Sequence, residues 1–435
     1  MGKMTAIQNF IEIRWLRKFS DRAKLERYQR KMLRRQLAFI KKHSPFYKDS
    51  DVSSLENLPV MDKNSMMENF DVLNTQGIKR DEALELAIES ERTRDFTPTI
   101  GKVSVGLSSG TSGHRGLFVI SDKERMEWAG AVLAKLLPKG HILHHKVAFF
   151  LRADNNLYET INSSVLTFAF FDLLKPMEEH IERLKEFPPT MLVAPPSVLK
   201  ELARAQEGGN LDIHPEKIIS VAEVLNDADE RYIKKVFGKD LIHQVYQCTE
   251  GFLGCTCECG KFHLNEDIVY VEKEYIGPRR FIPIITDFRR SSQPIIRYRL
   301  NDVLVESEEK CECGNPSLVI ERIEGREDDI FYFAKSNDND STNEDTVMVF
   351  PDFISRCMVY VEDIRNYRVV QIAPDKLVIY IDRIDEKTKK DTINEFRTLS
   401  ERMHFKLPEI DFQQYSTVPG KKVKRVERCF VYEKN

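Results

Sequence analysis

The chain lacks several features that would assign it at once. No apolar run approaches the roughly 20 residues that cross a bilayer as a helix; the longest is Val165-Leu-Thr-Phe-Ala-Phe-Phe171. The start, Met1-Gly-Lys-Met-Thr5, has no apolar core of a secretory signal. Gly2 heads no full myristoylation pattern, because position 6 is Ala. Charge of one sign is not in excess: 66 Lys and Arg against 69 Asp and Glu leave −3. That balance gives no sign of a nucleic-acid binder or a membrane-surface protein. No Gly-x-x-x-x-Gly-Lys-Ser/Thr occurs, which excludes the Walker phosphate loop, and no internal repeat is visible. The absences leave a cytoplasmic globular protein with no membrane span and no nucleic-acid partner.

At 435 residues the chain is too long for one ordinary core. Residues 8–43 read as one or two basic amphipathic helices, with Phe10, Ile13, Leu16, Phe19, Leu33, Leu37 and Ile40 at helical spacing. Their Arg and Lys suit either RNA or, more simply, a solvated helix face. From about 100 to 325, strand-like runs alternate with helical segments at 177–186, 196–206 and 227–237, which predicts α/β layering. The charged turn Glu324-Gly-Arg-Glu-Asp-Asp329 and the polar stretch 335–345 mark a change. Strands at 367–372 and 376–381 and a helix at 386–403 follow. The division expected is a large multi-layer α/β domain over 1–327 and a small, mobile α+β lid over 328–435.

Eight cysteines are present and unevenly placed. Clustered cysteines in a large chain of a reducing compartment point to metal rather than disulfides. Cys255-Thr-Cys257-Glu-Cys259-Gly-Lys-Phe-His263 and Cys311-Glu-Cys313-Gly hold enough soft ligands for one tetrahedral Zn²⁺. The preferred set is Cys257, Cys311 and Cys313, with either Cys259 or His263 as the fourth. Protein ligands fill every position of such a site, so its role is structural. Reduced, partly buried thiols are the competing reading.

The most informative stretch is Ser108-Ser-Gly-Thr-Ser-Gly-His-Arg-Gly116, between the strand-like runs 103–107 and 117–120. Hydroxyls, glycines and backbone N–H groups without bulk suit a polyphosphate. Gly106-Leu-Ser-Ser-Gly110 also fits a hydrolase elbow with Ser108 as nucleophile, but that motif requires a strand-to-helix turn.

The loop resembles the Ser/Thr/Gly phosphate loop of the acyl-adenylating (adenylate-forming) superfamily, and the resemblance continues in order. Tyr246-Gln-Cys-Thr-Glu250-Gly is similar to its Tyr-Gly-x-Thr-Glu element, and Tyr298-Arg-Leu-Asn-Asp302 to its Tyr-Arg-Thr-Gly-Asp element. Arg322-Ile-Glu-Gly-Arg-Glu-Asp-Asp329 resembles the hinge, and Pro419-Gly-Lys-Lys-Val-Lys-Arg425 the C-terminal Gly-Lys element. Within the superfamily, the chain resembles phenylacetate–CoA ligase and coenzyme-F synthetase-like enzymes. That likeness rests on His43-Ser-Pro-Phe-Tyr-Lys48, Ala222-Glu-Val-Leu225, Gly260-Lys-Phe-His-Leu-Asn-Glu-Asp267 and Val349-Phe-Pro-Asp-Phe-Ile354. It departs at His114-Arg115-Gly116, where many relatives have Lys-Pro-Thr, so Arg115 is the basic residue of the loop.

The resemblance implies an ATP-dependent ligase that joins a carboxylic acid to AMP, releases pyrophosphate, and passes the acyl group to an acceptor, coenzyme A above all. It places Ser108, Ser109, Gly110, Thr111, Ser112 and Gly113 on the phosphates. Thr249 is expected near phosphate, Glu250 near Mg²⁺ and Asp302 on the ribose; Glu223, Tyr246, Arg322, Arg326 and Asp328 complete the nucleotide site. Lys421 is the catalytic lysine, with Lys422 and Lys424 as neighbours that fit the same role. The acid pocket is expected around 148–158, 192–197 and 222–225 and the approach to Tyr246. There Phe149, Phe150 and Tyr158 suit a flat aromatic acid or belong to the core. Transfer of AMP to a hydroxyl, or acyl loading of a carrier protein, is the variant within this class; a homodimer is a further expected association. A serine hydrolase or a zinc-stabilised binding module are the readings from other classes.

Overall fold

The structure is a computed structural model that describes residues 2–108, 116–140, 142–151, 166–336, 346–361, 364, 366–416 and 424–430. The chain divides into two compact units, Met1–Leu300 with Val305–Arg322, and Asn301–Leu304 with Ile323–Asn435.

The first unit opens with α1 (Gly2–Ile11), a π-helical turn over Glu12–Leu16, and α2 (Arg22–His43). One or two helices fit the sequence pattern; there are two. Asp21 starts the second, its side chain accepting from the Lys24 N–H at 2.9 Å as an N-cap. The short helices α3 (Lys63–Glu68), α4 (Phe70–Leu73) and α5 (Arg80–Thr93) lead to a separate hairpin of β1 (Val103–Leu107) and β2 (Leu117–Ser121). Helix α6 (Asp122–Leu136) follows, opened by a capping box between Ser121 and Glu124.

The remaining strands of this unit form one large sheet. They are β3 (His145–Leu151), β4 (Leu166–Asp172), β5 (Met191–Ala194), β6 (Lys217–Ser220), β7 (His243–Cys248), β8 (Gly251–Thr256), β9 (Phe262–Leu264), β10 (Val269–Gly277), β11 (Arg280–Asp287), β12 (Tyr298–Arg299), β13 (Asp302–Glu306) and β14 (Val319–Arg326). Among the described residues the order is β10-β11-β13-β14-β9-β8-β7-β6-β5-β3-β4, with β12 on β11. β13 and β14 run across the boundary between the units.

The stretch β4-β3-β5-β6-β7 is parallel, as alternation with α7 (Met177–Glu186), α8 (Pro196–Glu207) and α9 (Asp227–Phe237) requires. Its central strands are the most covered: Met191–Ala194 and Lys217–Ser220 are buried at all four positions. Phe150, Phe171, Leu192, Leu199, Ile218 and Ile233 share this core. From β7 to β8 and β9 the pairing turns antiparallel. That reversal places the turn Thr249-Glu250 at the end of the parallel strand β7.

The second unit pairs β15 (Phe331–Ala334) with β16 (Thr346–Val349) and builds a sheet in the order β19-β18-β17-β20. These are β17 (Tyr367–Ala373), β18 (Lys376–Ile381), β19 (Glu409–Gln414) and β20 (Val426–Arg428). Helices α10 (Pro351–Val359) and α11 (Glu386–Met403) join a core that includes Phe333, Val369, Ile379, Phe396 and Phe405. The α11 bounds match the sequence pattern because Asp385 caps the N-terminus and His404, at φ 59°, turns the chain out of the helix.

Candidate active site

Built from the hairpin upward, the site starts at Ser108. Leu107 pairs with Leu117 across β1 and β2. One residue further, the Ser108 N–H donates to the Gly116 carbonyl, and the Ser108 Oγ accepts from the Gly116 N–H, each at 2.7 Å. The serine hydroxyl therefore closes the mouth of the loop. The next described element after the loop is the strand β2, whereas a hydrolase elbow runs on into a helix. Ser109, Gly110, Thr111, Ser112, Gly113 and Arg115 lie outside the described residues.

Thr249 and Glu250 form the turn between β7 and β8. The Thr249 hydroxyl donates to Glu250 Oε2 at 2.9 Å. Tyr298, 4% exposed, brings its phenol to the same carboxylate; burial, then the Glu250 charge and the hydrogen bond to it, push the phenol pKa up. Tyr298 follows Arg297, whose backbone is left-handed at φ 45°. A non-glycine residue there costs about 1–2 kcal/mol. The Arg297 guanidinium offsets it with a fork on Glu272, 2.8 Å at Nη2, and a bond to the Leu58 carbonyl at 2.8 Å. Tyr246 is buried on β7.

Arg290, which carries no motif, links the two elements above. This buried guanidinium donates to the Thr249 carbonyl at 3.1 Å and to the Val119 carbonyl of β2 at 3.4 Å. Gln293 holds the same strand, accepting from the Val119 N–H at 2.9 Å. Buried Glu124 balances the charge. Burial alone would raise its carboxyl, but Arg290 and hydrogen bonds from Ser121 and Ser292 hold it below the ordinary value. A polar run, Asp287-Phe-Arg-Arg-Ser-Ser-Gln293, just before the apolar Ile295-Ile296 was the available signal.

Glu223 accepts from the Ser197 N–H at the start of α8 at 3.3 Å, next to Ala222 at φ 67°. Phe150 is fully buried and stacked on Phe171 with centroids 4.6 Å apart. Phe149 packs with Ala6 and Met126. These two rings serve the core, and Tyr158 lies outside the described residues.

Of the remaining sequence-derived positions, Asp302, Arg326 and Asp328 fall in the second unit. Arg326 Nε stands 3.9 Å from Asp302 Oδ1, and Asn301 Nδ2 donates to Asp328 at 3.0 Å. Arg322 ends the first unit beside Glu321. Lys421 and Lys422 lie outside the described residues. Lys424 is engaged by the buried Asp329 at 2.7 Å.

The cysteine groups converge as well. Ligand atoms of Cys257, His263, Cys311 and Cys313 all lie within 4.8 Å of one another. Cys257 Sγ is 3.5 Å from Cys311 Sγ, and Cys313 Sγ is 3.4 Å from His263 Nε2. Tetrahedral zinc with bonds of about 2.0–2.3 Å sets its ligands at such separations. His263 Nδ1 faces the Ser317 carbonyl at 3.2 Å, which fixes Nε2 as the ring atom for a metal. Burial pushes the Cys257 thiol up to about 12. Cys259 is exposed and outside the four.

A scan of family models gives no match, and neither does a comparison with curated protein sequences. Solved structures do match. A 2-hydroxyisobutyryl-CoA ligase in the postadenylation state, with an AMP adduct bound, aligns at a TM-score of 0.65 and 14% identity, over 91% of this chain and 88% of that one. An acyl acid amido synthetase aligns at 0.54 and 11%, over 94% and 92%. The anthranilate CoA ligase AuaEII with anthranoyl-AMP aligns at 0.52 and 12%, over 74% and 65%. The chain has the fold of adenylate-forming ligases.

Proposed function

We propose that the protein is an ATP-dependent enzyme that activates a carboxylic acid as its acyl-adenylate and transfers the acyl group to a thiol acceptor, coenzyme A. The observation that carries this reading is the Arg290 bridge. Residues about 130 apart in sequence, Val119 behind the phosphate loop and Thr249 beside Glu250, are fastened to one guanidinium. The strand after the Ser108–Gly116 loop and the turn that carries Glu250 thereby share one buried anchor, which supports a common role for the two. Glu250, with the Thr249 hydroxyl, offers hard oxygen ligands of the kind Mg²⁺ prefers. Bound there, the ion would neutralise the leaving pyrophosphate.

The other residues take roles in the same scheme. Asp302 is placed on the ribose, with Arg326 and Asp328 at the hinge beside it. Lys421 is assigned to the carboxylate and α-phosphate, where negative charge collects; the pairing of its neighbour Lys424 with Asp329 supports that assignment. An aromatic acid is the proposed substrate class, its ring received near Tyr246. Cys257, His263, Cys311 and Cys313 are proposed to hold a structural Zn²⁺ in a reducing, cytoplasmic setting. Exchange of labelled pyrophosphate into ATP, dependent on an added aromatic acid, tests the reading. Exchange with no acid of a broad aryl and fatty panel would remove it.

A further inference from the structure

The first two helices combine charge and exposure in a way that the whole-chain balance conceals. Residues 1–48 hold fourteen Lys and Arg against three Asp and Glu, a net +11, so the rest of the chain stands at −14 within the total of −3. On α2, Arg27, Arg30, Lys31, Arg34, Arg35 and Lys42 are all exposed, opposite the buried Leu25, Met32 and Ile40. None of the six makes an ion pair with a described residue. A helical face of unneutralised cations attracts an anionic partner.

Helix α1 adds a different chemistry. Met4, Ile7 and Ile11, at helical spacing, are 61%, 53% and 40% exposed, and Trp15 and Leu16 beyond them 48% and 74%. The helix is not a loose tail. Its other face meets α6 so closely that a Cβ on Gly130 would stand 2.4 Å from the Ala6 carbonyl oxygen. Arg14 also donates to the carbonyls of Ala134 and Leu137 at the end of α6, at 2.9 and 2.8 Å. One face fastens α1 to the body, and an apolar face is presented to solvent.

We propose that α1 and α2 form a peripheral docking surface for an anionic lipid bilayer. A bilayer surface offers both what the apolar side chains need, the acyl boundary, and what the cations need, anionic headgroups. A nucleic acid would meet only the cations. A second copy of the chain would meet the apolar face but bring a second +11 segment beside the first. The inference is independent of the catalytic reading.

The test uses the full-length protein and vesicles, either of phosphatidylcholine alone or with about 30% phosphatidylglycerol added. Cosedimentation is expected to favour the anionic vesicles by about tenfold or more, and raised salt to reduce the difference. Ile7→Glu with Ile11→Glu, and separately Arg30→Glu with Arg34→Glu, should each lower binding about tenfold. All four positions are exposed, so unchanged thermal melting serves as the check on folding. Should a charge reversal disturb the fold, Arg30→Gln with Arg34→Gln repeats the measurement with less perturbation. Equal or absent binding to the two vesicles overturns the proposal. So does a solution dimer that Ile7→Glu dissociates, or RNA binding that survives the α1 substitutions while vesicle binding is absent.

Discussion

Arg290 Nη1 donates to the Thr249 carbonyl at 3.1 Å while its Nη2 reaches the Val119 carbonyl at 3.4 Å, so one buried side chain joins the turn carrying Glu250 to the strand after the Ser108–Gly116 loop. Glu124 lies behind it, accepting from the Ser291 and Ser292 N–H groups at 2.5 and 2.9 Å. The network is buried, so its members are costly to remove singly.

Arg290→Ala should therefore destabilise the protein by about 2–4 kcal/mol, from unpaired carbonyls and an uncompensated buried carboxylate. Urea titration measures it. Arg290→Lys restores the charge but cannot reach two carbonyls with a planar fork. It should recover part of the stability and little of the pyrophosphate exchange.

Ser108→Ala removes the acceptor for the Gly116 N–H and should cost about 1 kcal/mol, with exchange lowered about tenfold rather than abolished. A fluorophosphonate probe should label neither protein. Labelling of the parent that Ser108→Ala removes would return the hydrolase reading.

Zinc analysis of the purified protein should find one equivalent per chain, lost in His263→Ala and retained in Cys259→Ser. Removal of the ion by a strong chelator should lower the melting temperature, because a closed structural site contributes directly to folding. Metal loss in Cys259→Ser with retention in His263→Ala would reverse the assignment.

The pH dependence has a definite sign. Burial pushes the His180 pKa below its ordinary 6.5, so the unfolded chain takes up that proton first as pH falls. Its contribution is complete above the ordinary value and is lost as pH falls through the lower folded value. Glu124, also held low, adds a second loss below the ordinary glutamate range. Stability should decline on acidification in two stages, and Glu124→Gln should flatten the lower one. Chemical denaturation across the acid range reads both.

Much of the fold was legible because its signals are local. Helices at 177–186, 227–237 and 386–403 carry their own periods, the last two also their own caps in Asn226 and Asp385, and the run Met191–Ala194 declares a buried strand. What stayed hidden depends on residues meeting across the fold. Sequence spacing could not choose between Cys259 and His263; the pairing of His263 with Val319 helps to bring His263, and not Cys259, into the group with Cys257, Cys311 and Cys313. Phe149 and Phe150 carry no local mark that separates a pocket from a core; the stacking and full burial of Phe150 on Phe171, and the packing of half-buried Phe149 against Ala6 and Met126, do. The basic character of residues 8–43 was legible, but the exposure of Met4, Ile7 and Ile11 on α1 depends on which face packs against the body and was not.

The most direct measurement of the central claim is acid-dependent exchange of labelled pyrophosphate into ATP, with Glu250→Gln beside the parent. Exchange should require both Mg²⁺ and a carboxylic acid, and should fall about a hundredfold or more in Glu250→Gln. Exchange that persists undiminished in Glu250→Gln, or its absence across the whole acid panel with a stably folded parent, would contradict that claim.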